Sequence, residues 1–304
     1  MRRRGISAFV LVTSLVLMAT AFLYSAVASN RSSAATPVAA HAATALLTPG
    51  DHLETLYLGG FTRYATVHVP PVATIAGRPL ILVYPGAGST MSSTISETDF
   101  EQVANQQGDI VAFLQGYADT WNEGAGHTPA EQAHVDDIAF TSAVLRKLNS
   151  LVAYNPKKVA ATGISNGALM VEDLGCHLSS QISLIVPVEG EIPNAVSSTC
   201  TVPRPINIYE IHGTADPNIP YGGGHFNGVG GGTTVLSAPA SVARWAHLDG
   251  CTPRLSTVHL NQTIIITKYS HCKGSVSVTL RSIVGGLHVW GNNIGQIVTQ
   301  ALGK

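Results

Sequence analysis

Short apolar segments alternate with segments of helical periodicity along residues 51–304. The runs 79–84 and 110–114 are almost continuously apolar, which is typical of strands buried on both faces of a parallel sheet. Over 138–148, apolar residues recur at helical spacing. Strands that alternate with helices predict a mostly parallel central sheet with helices on both faces. We find no linker-like segment within 51–304, so these residues are expected to form a single α/β domain.

The composition narrows the class of protein further. Hydrophobic residues make up 45% of the 304 residues and charged residues only 12%. A chain of this kind can bury a sizeable core, which argues against general disorder. Its formal net charge is −1, so it lacks the excess of basic residues with which proteins hold nucleic acid phosphates, and we expect no nucleic-acid partner.

The first 28 residues have the anatomy of a secretory signal. Arg2–Arg4 give a basic start, residues 6–24 are largely apolar, and the segment closes on Ala26-Val27-Ala28, a pattern that signal peptidase reads. We predict a signal peptide over 1–28, with an uncleaved membrane anchor as the alternative. The rest of the chain is then secreted, or held at the outer face of a membrane if the anchor remains. Residues 29–50, rich in Ala, Ser, Thr and Pro, are expected to form a flexible spacer ahead of a domain over 51–304.

Export makes the four cysteines interpretable as a disulfide framework, because they are an even number in an oxidising compartment. They allow three pairings. The local pairings, Cys176 with Cys200 and Cys251 with Cys272, would each close a loop of moderate length and contribute roughly 3 kcal/mol. There is no C-x-x-C motif, so neither a zinc knuckle nor a thioredoxin-like site is expected.

A G-x-S-x-G motif, Gly163–Gly167, lies between a predicted strand, 158–162, and a predicted helix, 167–178. That context is typical of a nucleophile elbow, in which a serine sits at a strained strand-to-helix turn and glycines on both sides allow close backbone approach. The simpler alternative is that Ser165 only caps the helix. We predict that Ser165 is a catalytic nucleophile.

A serine hydroxyl needs a histidine to take its proton and a carboxylate to orient that histidine. In folds with this elbow the chain order is serine, acid, histidine. Asp216 follows the predicted strand 206–211, and His288 follows the last predicted strand. We therefore predict Asp216 as the acid and His288 as the general base.

Other carboxylates and histidines compete for these roles. Among the acids, Asp249 comes at a helix end that should be solvated, and Glu189 and Glu191 follow the serine too closely. His212 is expected to make structural hydrogen bonds within its turn.

The remaining histidines offer no second site. His225 lies in a glycine-rich loop, 222–232, and His271 is expected in an exposed hairpin turn beside Cys272. No H-E-x-x-H motif occurs and the histidines are scattered, so no metal site is predicted.

Ester or amide chemistry at a serine also needs two backbone N–H donors for the developing oxyanion. Asn166, directly after the serine, is expected to supply one. The other is expected from Ala87 or Gly88, in the tight loop that follows the strand 80–84. Small residues in this loop would leave room for a substrate carbonyl.

Taken together, these segments resemble the secreted polyhydroxybutyrate depolymerase and feruloyl esterase group of the α/β-hydrolase fold, over about residues 55–304. The resemblance is carried by the elbow segment 161–170 (ATGISNGALM), the acid loop 212–216 (HGTAD), 219–221 (IPY), Trp121-Asn122 and 135–140 (VDDIAF). Cys251 and Cys272 match a disulfide of that group. The resemblance implies the α/β-hydrolase fold and carboxylic ester hydrolysis.

Two positions depart from the family pattern. Pro85-Gly86 stands in the oxyanion loop where the family usually has His-Gly. In the histidine loop, Leu287 replaces a usual glycine and Gly291 a usual proline. Backbone donors survive both changes, but the loop conformations are expected to differ, and with them rate and substrate fit.

From this we predict an exported serine esterase that acts on small or oligomeric esters without a cofactor. Trp121 and Trp290 are the expected aromatic walls of its substrate pocket. A membrane would be a partner only if the N-terminal segment stays uncleaved. The alternative function is a non-catalytic surface-binding protein that retains the fold.

Overall fold

A computed structural model describes residues 46–72, 74–252 and 255–303. Its strands are β1 (Gly50–Leu58), β2 (Phe61–Val69), β3 (Leu80–Tyr84), β4 (Ile110–Leu114), β5 (Val159–Ile164), β6 (Leu184–Val188), β7 (Asn207–Gly213), β8 (Gly224–Gly228), β9 (Gly231–Val235), β10 (Leu255–His259), β11 (Ile264–Tyr269) and β12 (Val278–Ile283). Its helices are α1 (Met91–Glu97), α2 (Phe100–Gln107), α3 (Pro129–Gln132), α4 (Asp137–Val152), α5 (Asn166–Leu178), α6 (Asn194–Thr199), α7 (Ala238–Leu248) and α8 (Ile294–Ala301).

Ten strands form one sheet in the order β1-β2-β4-β3-β5-β6-β7-β12-β11-β10. The six strands from β4 to β12 in that order run parallel, and antiparallel pairs close both edges. The mostly parallel α/β sheet predicted from the alternation of apolar runs is therefore confirmed.

The core has two layers because successive side chains of a buried strand point to opposite faces of the sheet. On β3, Leu80 and Leu82 join one apolar cluster, whereas Ile81 and Val83 join the other. Helices α4, α5 and α7 pack against the first face, and α2 and α8 pack against the second. Parallel strands covered on both faces bring their carboxyl ends to one edge, which is where ligands bind in such sheets.

Two sequence predictions differ from the structure at the level of elements. The glycine-rich segment expected as a loop is an antiparallel hairpin, β8–β9, anchored by buried Phe226. The end of the expected spacer belongs to the domain, since the Leu47 N–H donates to the Leu151 carbonyl at 3.0 Å and β1 starts at Gly50.

The predicted signal peptide over 1–28 and most of the predicted spacer lie outside the described residues. Among the residues that the structure does describe, no helix is both long and apolar enough to cross a membrane.

Candidate active site

Ser165 stands at the turn between β5 and α5, with φ 57° and ψ −127°. Its N–H donates to the Val188 carbonyl at 3.0 Å, which ties the turn to β6. A Cβ on Gly163 would overlap the Gly167 carbonyl, and one on Gly167 would overlap the Tyr84 carbonyl. Both flanking glycines are therefore required for a turn that strains a non-glycine residue in the left-handed region.

The carboxylate of Asp216 is saturated with donors. Its Oδ1 accepts the backbone N–H groups of Asn218 at 2.7 Å and Ile219 at 3.0 Å. Its Oδ2 lies 2.7 Å from His288 Nδ1 and 3.2 Å from His212 Nε2. Burial alone would raise the pKa of Asp216, but hydrogen bonds from the two histidines outweigh it and hold this pKa below its usual range. Asp216 is thus ionised, and it can accept an N–H from each imidazole.

His288 lies on the loop between β12 and α8, with 12% of its side chain exposed. Because Nδ1 donates to Asp216, Nε2 is left unprotonated in the neutral ring. The loop is fastened to the acid loop through backbone: the Ala215 N–H donates to the Gly286 carbonyl at 3.0 Å. A Cβ on Gly213 would overlap the Gly286 backbone, so the two loops touch without side chains between them.

Ser165 and His288 line one cleft of about 620 Å³, together with Gly86, Ala87 and Trp290. Trp290 therefore has the placement expected for a pocket wall. Trp121 does not, because only 1% of it is exposed and it packs in the core. The prediction for Trp121 was wrong because the sequence does not show whether an aromatic residue near a site lines the pocket or packs in the core beneath it.

Trp121 instead supports the loops around Ser165. Its indole Nε1–H donates to the Pro85 carbonyl at 2.8 Å, and its backbone N–H donates to Asn166 Oδ1 at 2.8 Å. Trp121 thus connects the loop after β3, through its side chain, to the residue that follows the serine, through its backbone.

The structure separates the two candidates for the second oxyanion donor. The Gly88 N–H donates to the Asp119 carbonyl at 2.8 Å, so it is already used. Within the described residues, the N–H groups of Ala87 and Asn166 have no backbone acceptor, and Ala87 lines the cleft. Gly88 is thus corrected from a candidate donor to a loop-closing residue, and Ala87 and Asn166 remain.

One carboxyl group, at the opposite end of β7 from Asp216, is more buried than the sequence suggested. Asp249, expected to be solvated, has no exposed surface, and its Oδ1 accepts the Ile206 N–H at 3.3 Å. Burial raises the pKa of Asp249 to about 7. The position of Asp249 at a helix end led to the wrong prediction. Its carboxyl accepts an N–H at the start of β7 instead of facing water.

His212 borders a buried acidic cluster that sequence reasoning missed. Its Nδ1 lies 3.2 Å from Glu191 Oε1, and its Nε2 lies 3.0 Å from the Ile219 carbonyl. Burial, and next the charge of Glu210, raise the pKa of Glu191 well above its usual range, so Glu191 is neutral. Because the Ile219 carbonyl can only accept, Nε2 of His212 carries the proton, and this N–H also lies 3.2 Å from Asp216 Oδ2. The predicted structural role of His212 therefore includes contact with the acid.

Within the described residues, four groups of His, Asp and Glu side chains could be considered for a metal, and one of them lies just before helix α4. Donor atoms of Glu123, His127 and Glu131 all lie within 4.8 Å of one another. However, the Glu131 carboxylate already accepts the backbone N–H groups of Gly126, His127 and Thr128. Glu131 closes this turn as a hydrogen-bond acceptor, so we assign no metal to the group.

The elbow serine at the carboxyl edge of a mostly parallel sheet, with an acid and a histidine after later strands, defines the α/β-hydrolase fold. Comparison with solved structures agrees. Acetyl xylan esterase from Aspergillus awamori superposes with a TM-score of 0.61 at 12% sequence identity, covering 83% of this chain and 99% of that one. The chain therefore has the α/β-hydrolase fold.

The relatives found by sequence carry esterase names. Feruloyl esterase B of Piromyces equi is 30% identical over 223 residues, 70% of this chain and 40% of that protein. NocK of Nocardia uniformis subsp. tsuyamanensis, which is named as an esterase, is 28% identical over 168 residues, 55% of this chain and 48% of that protein. The chain thus spans less than half the length of these curated relatives. No protein-family model matches it.

Proposed function

We propose that the protein is a serine esterase that hydrolyses carboxylic esters, with Ser165 as nucleophile, His288 as general base and Asp216 as the orienting acid. The observation that carries the proposal is the 2.7 Å hydrogen bond between His288 Nδ1 and Asp216 Oδ2, on a loop that lines the same cleft as Ser165. The esterase names of the sequence relatives support the same class of reaction.

The reaction follows from the protonation states. Because Asp216 fixes the Nδ1–H tautomer, Nε2 of His288 can take the Ser165 proton as Oγ attacks the ester carbonyl. The oxyanion then accepts hydrogen bonds from the N–H groups of Asn166 and Ala87. Collapse of the tetrahedral intermediate expels the alcohol, which receives its proton from His288 Nε2. Water, activated by the same nitrogen, hydrolyses the acyl-enzyme and restores the serine.

The substrate class and the compartment are part of the proposal. We infer small or oligomeric esters, of the feruloyl or hydroxyalkanoate type, for a cleft of about 620 Å³. We infer export through the segment 1–28, and two disulfides suit an oxidising compartment. No cofactor is required for the steps above.

Hydrolysis of aryl, feruloyl and hydroxyalkanoate esters by the purified protein tests the proposal. The Ser165→Ala variant should lose activity by about 10⁴ or more. The matched control is Ser89→Ala, which removes a second hydroxyl from the same cleft and should leave rates within a few fold. If the wild-type protein hydrolyses none of these esters, or if Ser165→Ala keeps normal turnover, the function is not that of a serine esterase and a non-catalytic binding role gains support.

A further inference from the structure

A second cavity, of about 310 Å³, lies beside the catalytic cleft. The two share Val289, Trp290, Gly291 and Asn292, which follow His288 on its loop. One loop therefore forms a wall of both spaces, although neither Ser165 nor His288 lines the second one. The proposed mechanism makes no use of this cavity.

Its lining is mostly aliphatic. Strands β7, β11 and β12 contribute Ile211, Ile264 and Ile283, respectively. Helix α8 contributes Ile294 and Ile297. At the loop, Leu287 and Val289 are more than half exposed. Apolar surface of this kind gains free energy when an apolar group displaces water from it.

Arg281 is a cation in this apolar lining. It lies on β12 between Ile266 of β11 and Ile211 of β7, and it is only partly exposed. Within the described residues, no carboxylate comes within 4 Å of its guanidinium. A partly buried guanidinium without a counterion favours an anion, and its planar donors fit a carboxylate.

Glu189 also lines the cavity but does not neutralise Arg281. Its Oε2 accepts the Gly213 N–H at 2.8 Å, and only 1% of the residue is exposed. Burial raises the pKa of Glu189 well above its usual range, which keeps this carboxyl uncharged at neutral pH. The electrostatic potential of the cavity is therefore set by the arginine.

We propose that this cavity is a separate binding site for an amphipathic carboxylate, whose apolar body fills the aliphatic space while its carboxylate pairs with Arg281. An alkyl or aryl-alkyl carboxylic acid combines the two features that the lining selects. The site does not depend on the esterase proposal, because its binding requires neither Ser165 nor hydrolysis.

Calorimetric titration with octanoate, with 3-phenylpropanoate and with the uncharged 1-octanol tests the site at pH 7. The wild-type protein should bind both carboxylates saturably. Arg281→Gln should weaken their binding about ten- to a hundredfold, the effect expected for loss of a charged hydrogen-bonding pair, while binding of 1-octanol stays unchanged. The matched control is Lys268→Gln, a cation on the same face of β11 that does not line the cavity.

Two variants distinguish this site from the catalytic cleft. Ile264→Trp should fill the cavity and abolish binding of carboxylates and alcohol alike. Glu97 lines only the catalytic cleft, so Glu97→Gln should leave octanoate binding unaltered. The proposal is overturned if octanoate does not bind, if Arg281→Gln binds it as the wild type does, or if only Glu97→Gln changes its affinity.

Tryptophan fluorescence gives an independent reading. Of the three tryptophans, Trp121 and Trp245 are buried in the core away from the cavity, whereas Trp290 lines it. Octanoate should therefore change the emission, and Trp290→Phe should remove that change while calorimetric binding persists. Binding with no response from Trp290 would place the ligand elsewhere and count against the site.

Discussion

Asp216 accepts two backbone N–H groups and lies within 3.2 Å of a nitrogen of each of two histidines, more donors than the structure gives to either Glu191 or Glu210. Glu191 and Glu210 are at least as buried as Asp216, but burial raises their pKa values, and so do nearby charges, that of Glu210 for Glu191 and that of Glu172 for Glu210. The ionised acid is thus selected by its N–H donors, since all three groups are removed from water. The position of a carboxyl group in the sequence does not show whether it is ionised or neutral in the folded protein.

Asp216→Asn should reduce ester hydrolysis by about 10³–10⁴. An amide at this position can donate to Nδ1 of His288 and favour the tautomer whose Nε2 already carries a proton. Steady-state kinetics on one aryl ester would measure the loss, mainly in kcat. Asp249→Asn is the control, because Asp249 is as buried but contacts neither Ser165 nor His288, and its activity should remain near normal. Similar losses in both variants would count against Asp216 as the acid.

Asp249 itself should limit stability at alkaline pH. Its pKa of about 7 in the folded protein exceeds the value of 3.8 expected when exposed, so ionisation favours the unfolded chain. The free energy of unfolding should therefore fall as pH rises from about 4 to 7 and then level off. A pKa difference of this size corresponds to at most ~4 kcal/mol.

Asp249→Asn should remove that penalty, since an amide does not ionise and its oxygen can still accept the Ile206 N–H. Urea unfolding at pH 4.5 and pH 8 measures the effect. The variant should be more stable than the wild type at pH 8, with a much smaller advantage at pH 4.5. An equal difference at both pH values would show that the carboxyl is not buried in its neutral form.

At the scale of elements, the sequence predicted the strands and helices that carry strong apolar patterns. Helix α5, predicted over 167–178, begins one residue earlier, at Asn166, and ends at the predicted residue. The hairpin β8–β9 was not predicted because its glycines interrupt the alternation of apolar and polar side chains that marks a strand. Trp121 was wrongly predicted as a pocket wall because the direction of its side chain depends on tertiary packing, which the sequence does not show.

The elbow between β5 and α5 should tolerate no side chain at its glycines. In Gly163→Ala the new methyl group would meet the Gly167 backbone, which cannot rotate away, so we expect destabilisation of about 3 kcal/mol or more, or failure to fold. Gly222→Ala is the matched control, because nothing lies within 4 Å of a Cβ there. Thermal unfolding followed by circular dichroism would compare the two. Equal melting temperatures would contradict the packed elbow.

At the scale of the whole molecule, the candidate triad is a product of topology. Ser165, Asp216 and His288 follow β5, β7 and β12, three parallel strands that lie close together in the sheet order. Their carboxyl ends face one edge, so residues far apart in sequence reach one cleft. The roles of Asp216 and His288 could be predicted from the sequence because both residues follow strands whose carboxyl ends meet at this edge. The choice of Ala87 over Gly88 could not, because it depends on one backbone hydrogen bond to Asp119.

Two disulfides fasten elements on the covered faces of the sheet, Cys176 to Cys200 and Cys251 to Cys272. Their sequence separations are 24 and 21 residues, for which the restriction of the unfolded chain contributes roughly 3 kcal/mol each. Cys176→Ala/Cys200→Ala should therefore melt at a lower temperature than the wild type, and reduction should lower the melting temperature of the wild type. If neither the double substitution nor reduction lowers the melting temperature, the disulfides do not stabilise the fold.

The central claim, that Ser165 is a nucleophile activated by His288, is tested most directly by labelling with a fluorophosphonate and locating the adduct by peptide mass spectrometry. We predict one adduct, on Ser165, which forms far more slowly in His288→Ala and at the wild-type rate in His225→Ala, a histidine on the β8–β9 hairpin. An adduct on another serine would contradict this claim. So would labelling of Ser165 at the same rate in His288→Ala as in the wild type.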